Sequence, residues 1–395
     1  MSDQPIPAGP LTGIRVLDLS SVIMGPYATQ IFGDLGADVI CVEDARGDTN
    51  RVMGAGPEPG LSGVALNILR NKRNICLDLK HADGREAFLR LAATCDVVVT
   101  NLRPAPLERL GLTYERLSAA RPGLIMCQAH GWPSDSPKAN NPAYDDIIQA
   151  ASGIADAFTL QSGTPQLAPT LVADKVAGLT IAYGVMAALF HRERTGEGQF
   201  LEVPMIDALT AFTLVEHGCS AIPESKLGPA GYPRILSPNR RPFRSSDGWV
   251  SVLPYSAANY DAIFREGGRE DLVDDERVRT TRVRIANADS LYADVAPIVL
   301  TRTTAHWLEF CRVHDIPAGA VRTLDELVEE LPLAHHPHVG DYRSIPSPVR
   351  FATTPTSVRR HAPRLGEHGR EVLREVGATE DELDRWVASG ALRNT

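Results

Sequence analysis

The run Pro169-Thr-Leu-Val-Ala-Asp174-Lys-Val-Ala-Gly178, continuing to Phe190-His-Arg-Glu-Arg-Thr195-Gly196, holds the residue with the plainest chemical potential. Its spacing predicts a long helix with Asp174 at the N-cap, Arg192 and Arg194 in the last turn and Gly196 as the stop. Aspartate is a preferred N-cap, so capping alone accounts for it. The same position also suits catalysis. A helix dipole and free backbone N–H groups favour an ionised carboxylate there. An ionised carboxylate attacks a thioester carbon, and neighbouring N–H groups stabilise the oxyanion that develops. Local sequence does not choose between the two roles.

Other constellations carry less. Gly54-Ala-Gly56-Pro-Glu-Pro-Gly60 imitates a dinucleotide loop, but it follows the second expected strand rather than the first, and its prolines remove donors. Glu43-Asp44 stands where a ribose-binding acid would, which keeps an NAD-dependent oxidoreductase open, although Gly25 is alone where three glycines are wanted. His335-His336-Pro337-His338 reads as a solvated loop rather than a metal cluster, because adjacent histidines point in different directions. No GxSxG or HExxH occurs, so serine-hydrolase and zincin chemistry have no support. The six cysteines show no CxxC spacing, and Cys41, Cys76 and Cys127 lie in apolar runs where a thiol packs as a small hydrophobe.

The elements around these residues alternate. Ile14–Leu19 reads as a strand, Tyr27–Leu35 as a helix and 37–43 as a second strand, a βαβ unit with parallel pairing. Strands over 74–79, 96–100 and 124–128 follow, with helices over 83–94 and 107–121 between them. The fold class expected is α/β: a Rossmann-like parallel-sheet large domain over 1–222 and a Pro-rich linker over 223–242. A smaller α+β domain follows over 243–328, with a strand over 248–253 and helices over 257–266, 285–296 and 305–314. A C-terminal segment over 329–395 with helices over 367–376 and 380–389 completes the chain.

With 395 residues the chain exceeds one ordinary core. A net charge of −9 argues against a dedicated nucleic-acid binder but allows a local cationic pocket. The N-terminal stretch 1–13 lacks a signal-peptide pattern, and the longest apolar stretch, Gly178–Phe190, falls short of the ~20 residues that span a bilayer. A soluble, cytoplasmic protein is expected.

Over almost its whole length the sequence resembles the family III CoA-transferases, the CaiB/BaiF family. The matching stretches are Gly13–Asp38 (GIRVLDLSSVIMGPYATQIFGDLGAD), 71–75, 101–104 and Arg109-Leu110-Gly111. They continue through Tyr144-Asp145, 149–153, Ala173-Asp174, 187–189 with 192–199, Asp247-Gly248 and 316–319. The resemblance implies transfer of coenzyme A between an acyl-CoA and a carboxylic acid, with Asp174 as nucleophile and mixed-anhydride and aspartyl-CoA thioester intermediates. It implies no tightly bound cofactor, no metal and an intertwined homodimer. It places coenzyme A against Val22, Ile23 and Met24, with Leu69 and Lys72 near the nucleotide and its phosphates. Asn101 and Leu102 match backbone-side contacts, Arg109 matches a phosphate contact, and Met205 lies near the reacting end. Taken alone, Lys72 and Arg109 are ordinary solvated cations.

Two departures stand out. Asp44 occupies a place where the family often has arginine, leaving Arg46 or Arg51 as substitutes. Ser237–Phe243 replaces the glycine-rich loop of formyl-CoA transferases, so oxalate or formate chemistry is not expected. Arg240 and Arg241 in that segment suit a second carboxylate. The racemase branch of the family needs a histidine at the position matched by Tyr144. A tyrosine, with an ordinary pKa near ~10, is a poor partner for α-proton exchange and favours transfer, where it packs against the CoA arm or donates a hydrogen bond.

Overall fold

The structure, a computed structural model, describes residues 9–393. The first eight residues of the stretch read for a signal peptide therefore lie outside the described residues. The chain divides into two compact units. The first comprises the chain up to Ser152, Ala168–Phe212 and Leu331 onward; the second comprises Gly153–Leu167 and Thr213–Glu330.

The first unit is built on a seven-stranded sheet. Its strands are β1 (Arg15–Leu19), β2 (Asp38–Glu43), β3 (Lys72–Leu77), β4 (Val97–Thr100), β5 (Ile125–His130) and β6 (Phe200–Pro204). The seventh is the last strand of the chain, Leu392–Arg393, which pairs antiparallel with β3 at the edge. From that edge the order is Leu392–Arg393, β3, β2, β1, β4, β5, β6, and all remaining pairs are parallel. The order reverses between β1 and β4, and ligands of doubly wound sheets bind outside the carboxyl ends of the strands at such a reversal. Leu17, Ile40, Ile75, Val98 and Met126 point from successive strands into one core with Phe88, Leu91 and Trp386.

The helices preceding and forming the site are α1 (Met24–Asp34), α2 (Gly63–Ile68), α3 (Ala82–Ala92), α4 (Pro104–Leu110), α5 (Tyr114–Ala120) and α6 (Asp145–Ala151). They are followed by α7 (Ile154–Ser162, in the second unit), α8 (Val172–Thr195) and α9 (Met205–His217). The single helix expected over 107–121 is two, because Gly111 ends α4 in the left-handed region at φ +66°. The strands β6 and Leu392–Arg393 escaped the sequence reading; the second has only two residues. The 24 residues of α8 are long and apolar enough to cross a bilayer, which corrects the limit drawn from Gly178–Phe190. In the fold α8 packs on α1.

His335 and His336 lie in a hairpin strand, Leu333–His336, rather than in a loop. His336 is buried, with its Nε2 2.8 Å from the Ala362 carbonyl. It fills the core while His335, on the alternate face, stays exposed.

The second unit has its own core of Phe243, Val250, Phe264, Leu291 and Trp307 beneath a three-stranded antiparallel sheet of Phe243–Arg244, Trp249–Val252 and Ala318–Ala320. Its longer helices include Ala257–Glu266, Ala288–Val299 and Thr304–Val313. Pro233–Leu236, inside the segment read as an extended connection, forms a helical turn of this unit.

Candidate active site

Asp174 is not the N-cap of α8. The helix starts at Val172 with Leu171 in the cap position, so Asp174 is the third helical residue. Its backbone N–H donates to the Asp145 carboxylate at 3.0 Å, so a neighbouring side chain satisfies this helix terminus. Gln149, one turn beyond Asp145 on α6, grips the run into α8. Its Oε1 accepts from Ala168 N at 2.8 Å, and its Nε2 donates to the Thr170 carbonyl at 3.2 Å and to Asp145 at 2.5 Å. On the other side Gly178 permits a close approach. A Cβ there would lie 2.8 Å from the Met24 carbonyl oxygen, so α8 sits against the start of α1 as only glycine allows. Asp174, four residues before Gly178, stands over the β1–α1 turn.

The electrostatics differ from the helix-dipole expectation. Asp174 is 9% exposed, and burial, followed by the charge of Asp145, pushes its carboxyl up to about 7. Desolvation and a like charge outweigh the dipole. The result is a carboxylate that is ionised in part at neutral pH, poorly solvated and therefore more nucleophilic than a surface aspartate.

Asp174 lines a cavity of about 190 Å³ with Val22, Met24, Asn101, Leu102, Tyr144 and Met205. These residues follow the carboxyl ends of β1, β4 and β6 or stand at the start of α6, so the cavity occupies the reversal point of the sheet. Its wall is rigid. Val22 holds a left-handed φ of +67°, a strained choice for a β-branched residue. Three groups fix it: Asp48 accepts from Val22 N at 2.8 and 3.1 Å, Asn50 Nδ2 donates to Val22 O at 3.4 Å, and Asn101 exchanges hydrogen bonds with the Ser21 backbone at 2.9 and 3.1 Å. Tyr144 is 69% exposed at the cavity mouth.

Four expected contacts lie elsewhere. Ile23 and Leu69 are packed in a core with Cys41, Leu61 and Leu66, because both face the sheet rather than the crevice. Lys72 is 0% exposed, and its ammonium is taken by Asp18 at 3.1 Å, Thr29 at 2.7 Å and the Pro26 carbonyl at 2.9 Å. With its three donors used, Lys72 is an internal strut and holds no phosphate. Arg109 is exposed on α4, outside the cavity lining.

Arg51, a substitute for the missing family arginine, is likewise sealed in. Its Nε and Nη2 donate to Glu43 at 2.7 and 2.6 Å. Arg46 remains on the surface beside Asp44, and its guanidinium holds that carboxyl below the usual range. Glu43 also accepts from Asn74 Nδ2 and Asp48 N, so both its oxygens are occupied and it is not available to a ribose. That removes the support for a nicotinamide-dependent reading. Asp48, Asp145, Gln149 and His130 were not given roles from sequence. Asp145 and Gln149 stood inside matched motifs, whereas nothing local marked Asp48 or His130.

The chain thus forms a doubly wound α/β unit with a buried carboxylate, pushed up to about 7, in the crevice at its strand reversal. The chain belongs to CoA-transferase family III, whose sequence pattern it matches over residues 11–369. It is 31% identical to a succinate–glutarate CoA-transferase of Agrobacterium fabrum, across 96% of this chain and 99% of that one. It is also 31% identical to the succinyl-CoA–L-malate CoA-transferase beta subunit of Chloroflexus aurantiacus, across 94% and 95%. A CaiB/BaiF family protein from Brucella suis superposes with a TM-score of 0.79 at 28% identity, covering 93% of this chain and all of that one. The protein is thus a CoA-transferase acting on coenzyme A thioesters.

Proposed function

We propose that Asp174 carries the transfer covalently. Its carboxylate oxygen attacks the thioester carbon of the donor, the C–S bond breaks, and an acyl–aspartyl anhydride and CoA thiolate form. The thiolate attacks the aspartyl carbonyl and releases the donor acid, leaving an aspartyl-CoA thioester. The acceptor carboxylate displaces the thiolate to form a second anhydride, and the thiolate attacks its acyl carbon, regenerating Asp174. Each step exchanges one acyl bond for another of similar energy, so neither ATP nor a metal is required.

One observation carries this reading: a desolvated carboxylate lines the same cavity as the strained, over-determined β1–α1 turn and the loop after β4. Val22, Met24, Asn101, Leu102, Tyr144 and Met205 are the contacts proposed for the coenzyme arm, and the exposed cations Arg46, now paired with Asp44, and Arg109 are proposed for its phosphates. Tyr144 at the cavity mouth supports transfer over racemisation. The relatives act, by their names, on succinate, glutarate and malate, so dicarboxylic acids are the substrates to try first. The test is a CoA-exchange assay over pairs of such acids with wild type and Asp174→Ala. Loss of at least ~10³-fold in the variant is expected. Comparable rates in both would remove Asp174 from the chemistry.

We further propose a homodimer, intertwined as in the family. Leu179, Tyr183, Ile345, Val349 and Phe351 line an apolar cavity of about 620 Å³ in the first unit, and five such exposed side chains on a free surface call for cover. Light scattering at micromolar concentration should give twice the mass of one chain; a monomer would reject this assembly.

A further inference from the structure

Besides Arg103 and Tyr144, the cavity holds an ionisable side chain that the four half-steps leave unused. His130 ends β5 and lines the cavity with Asp174, yet it is only 2% exposed. Its Nε2 lies within ion-pair distance of Glu202 Oε1 on β6, at 2.9 Å but without hydrogen-bond geometry, and its Nδ1 has no protein partner. Glu202 is itself held, because Oε1 accepts from Ser134 N at 2.7 Å. A carboxylate beside one ring nitrogen favours the proton on that nitrogen and leaves the lone pair on the other. An imidazole beside a carboxylate, with its second nitrogen unpaired and buried, can serve as a base.

We propose that His130 takes up and returns the proton of the coenzyme A sulfur during transfer, with Glu202 orienting its ring. The proposal rests on the covalent reading of Asp174. A thiol titrates near ~8.5, so a CoA sulfur released into a neutral site gains a proton and must lose it again before attacking an anhydride. Neutral His130 accepts that proton at Nδ1, the thiolate forms the new C–S bond, and the imidazolium returns the proton when the next thiolate departs. Water protonates the first thiolate and takes a proton back from the imidazolium after the last attack, so the cycle closes with no reactant beyond solvent. Burial lowers the imidazole's pKa and Glu202 opposes it, which keeps the ring neutral at working pH. The charged groups around it are Glu202 on β6, Asp174 on α8, Arg103 on the cavity wall, and Asp207, which both Glu202 and Asp135 influence.

The test compares His130→Gln, His130→Ala and Glu202→Gln with wild type across pH. Wild type needs Asp174 ionised and His130 neutral, so log kcat/KM should approach a slope of 2 at low pH. His130→Gln should lose ~10²-fold in kcat with donor KM little changed, and its slope should fall to 1. Glu202→Gln removes the charge that raises the imidazole's pKa, so the slope-2 region should begin at lower pH. Added imidazole should restore part of the rate to His130→Ala. Retained kcat and slope 2 in His130→Gln overturn the proposal, as does a folded His130→Ala that imidazole leaves inactive. Failure of the Asp174 reading is seen separately, as transfer that survives Asp174→Ala.

Discussion

Replacing Asp174 by Asn should stabilise the protein at alkaline pH while abolishing transfer. The carboxyl titrates at about 7 instead of the ordinary 3.8. That difference, about 3 pH units at 1.36 kcal/mol each, amounts to ~4 kcal/mol of unfavourable charge in the folded state. The sign follows from proton binding. Between about pH 4 and 7 the folded protein keeps a proton that the unfolded chain has released, so this group's contribution to stability falls as pH rises through that window and is flat above it. Asparagine never ionises and escapes the penalty. The gain from Asp174→Asn should therefore be ~1 kcal/mol at pH 4.5 and approach ~4 kcal/mol at pH 8, less where water enters the cavity. The Asp145 bond to the residue 174 backbone is untouched by the change. Urea denaturation of both proteins at the two pH values, followed by circular dichroism, gives the double difference. An equal effect at both pH values, or a variant less stable at pH 8, would refute the reasoning.

Asp145→Asn removes the second cause of the raised carboxyl and should move the acidic inflection of kcat/KM to lower pH, though burial keeps it above that of a surface aspartate; an inflection that stays put would deny the coupling. Lys72→Met strands Asp18 in the core and should cost ~3–5 kcal/mol in denaturant melts without raising the KM for acyl-CoA in the folded variant. A specific rise in that KM would return Lys72 to the phosphate. Gly178→Ala sets a Cβ against the Met24 carbonyl, so α8 must shift, and kcat should drop about 10²-fold for a displacement near 1 Å. Unchanged kinetics would mean that Asp174 does not depend on that contact.

The sheet was legible because its strands are buried on both faces and read as unbroken apolar runs, as in Val97–Val99. The end of α8 was legible too, since Gly196 adopts the left-handed φ of +78° that glycine at such a position announces. Its beginning was not. Asp145 supplies from 29 residues away the acceptor that local pattern assigned to Asp174 itself. The same limit applies to Lys72, where a cation next to arginine in a matched motif looks solvated until Asp18 and Thr29 enclose it. His130 carried no signal because its significance lies in Glu202, which reaches it across the sheet from β6.

The most direct measurement is to incubate the enzyme with an acyl-CoA donor and no acceptor, quench with hydroxylamine and map the product by peptide mass spectrometry. The hydroxamate should appear at Asp174 and nowhere else, at a level approaching one per site. A hydroxamate on another carboxylate, or none in a preparation that transfers CoA at full rate, would contradict the covalent aspartyl route.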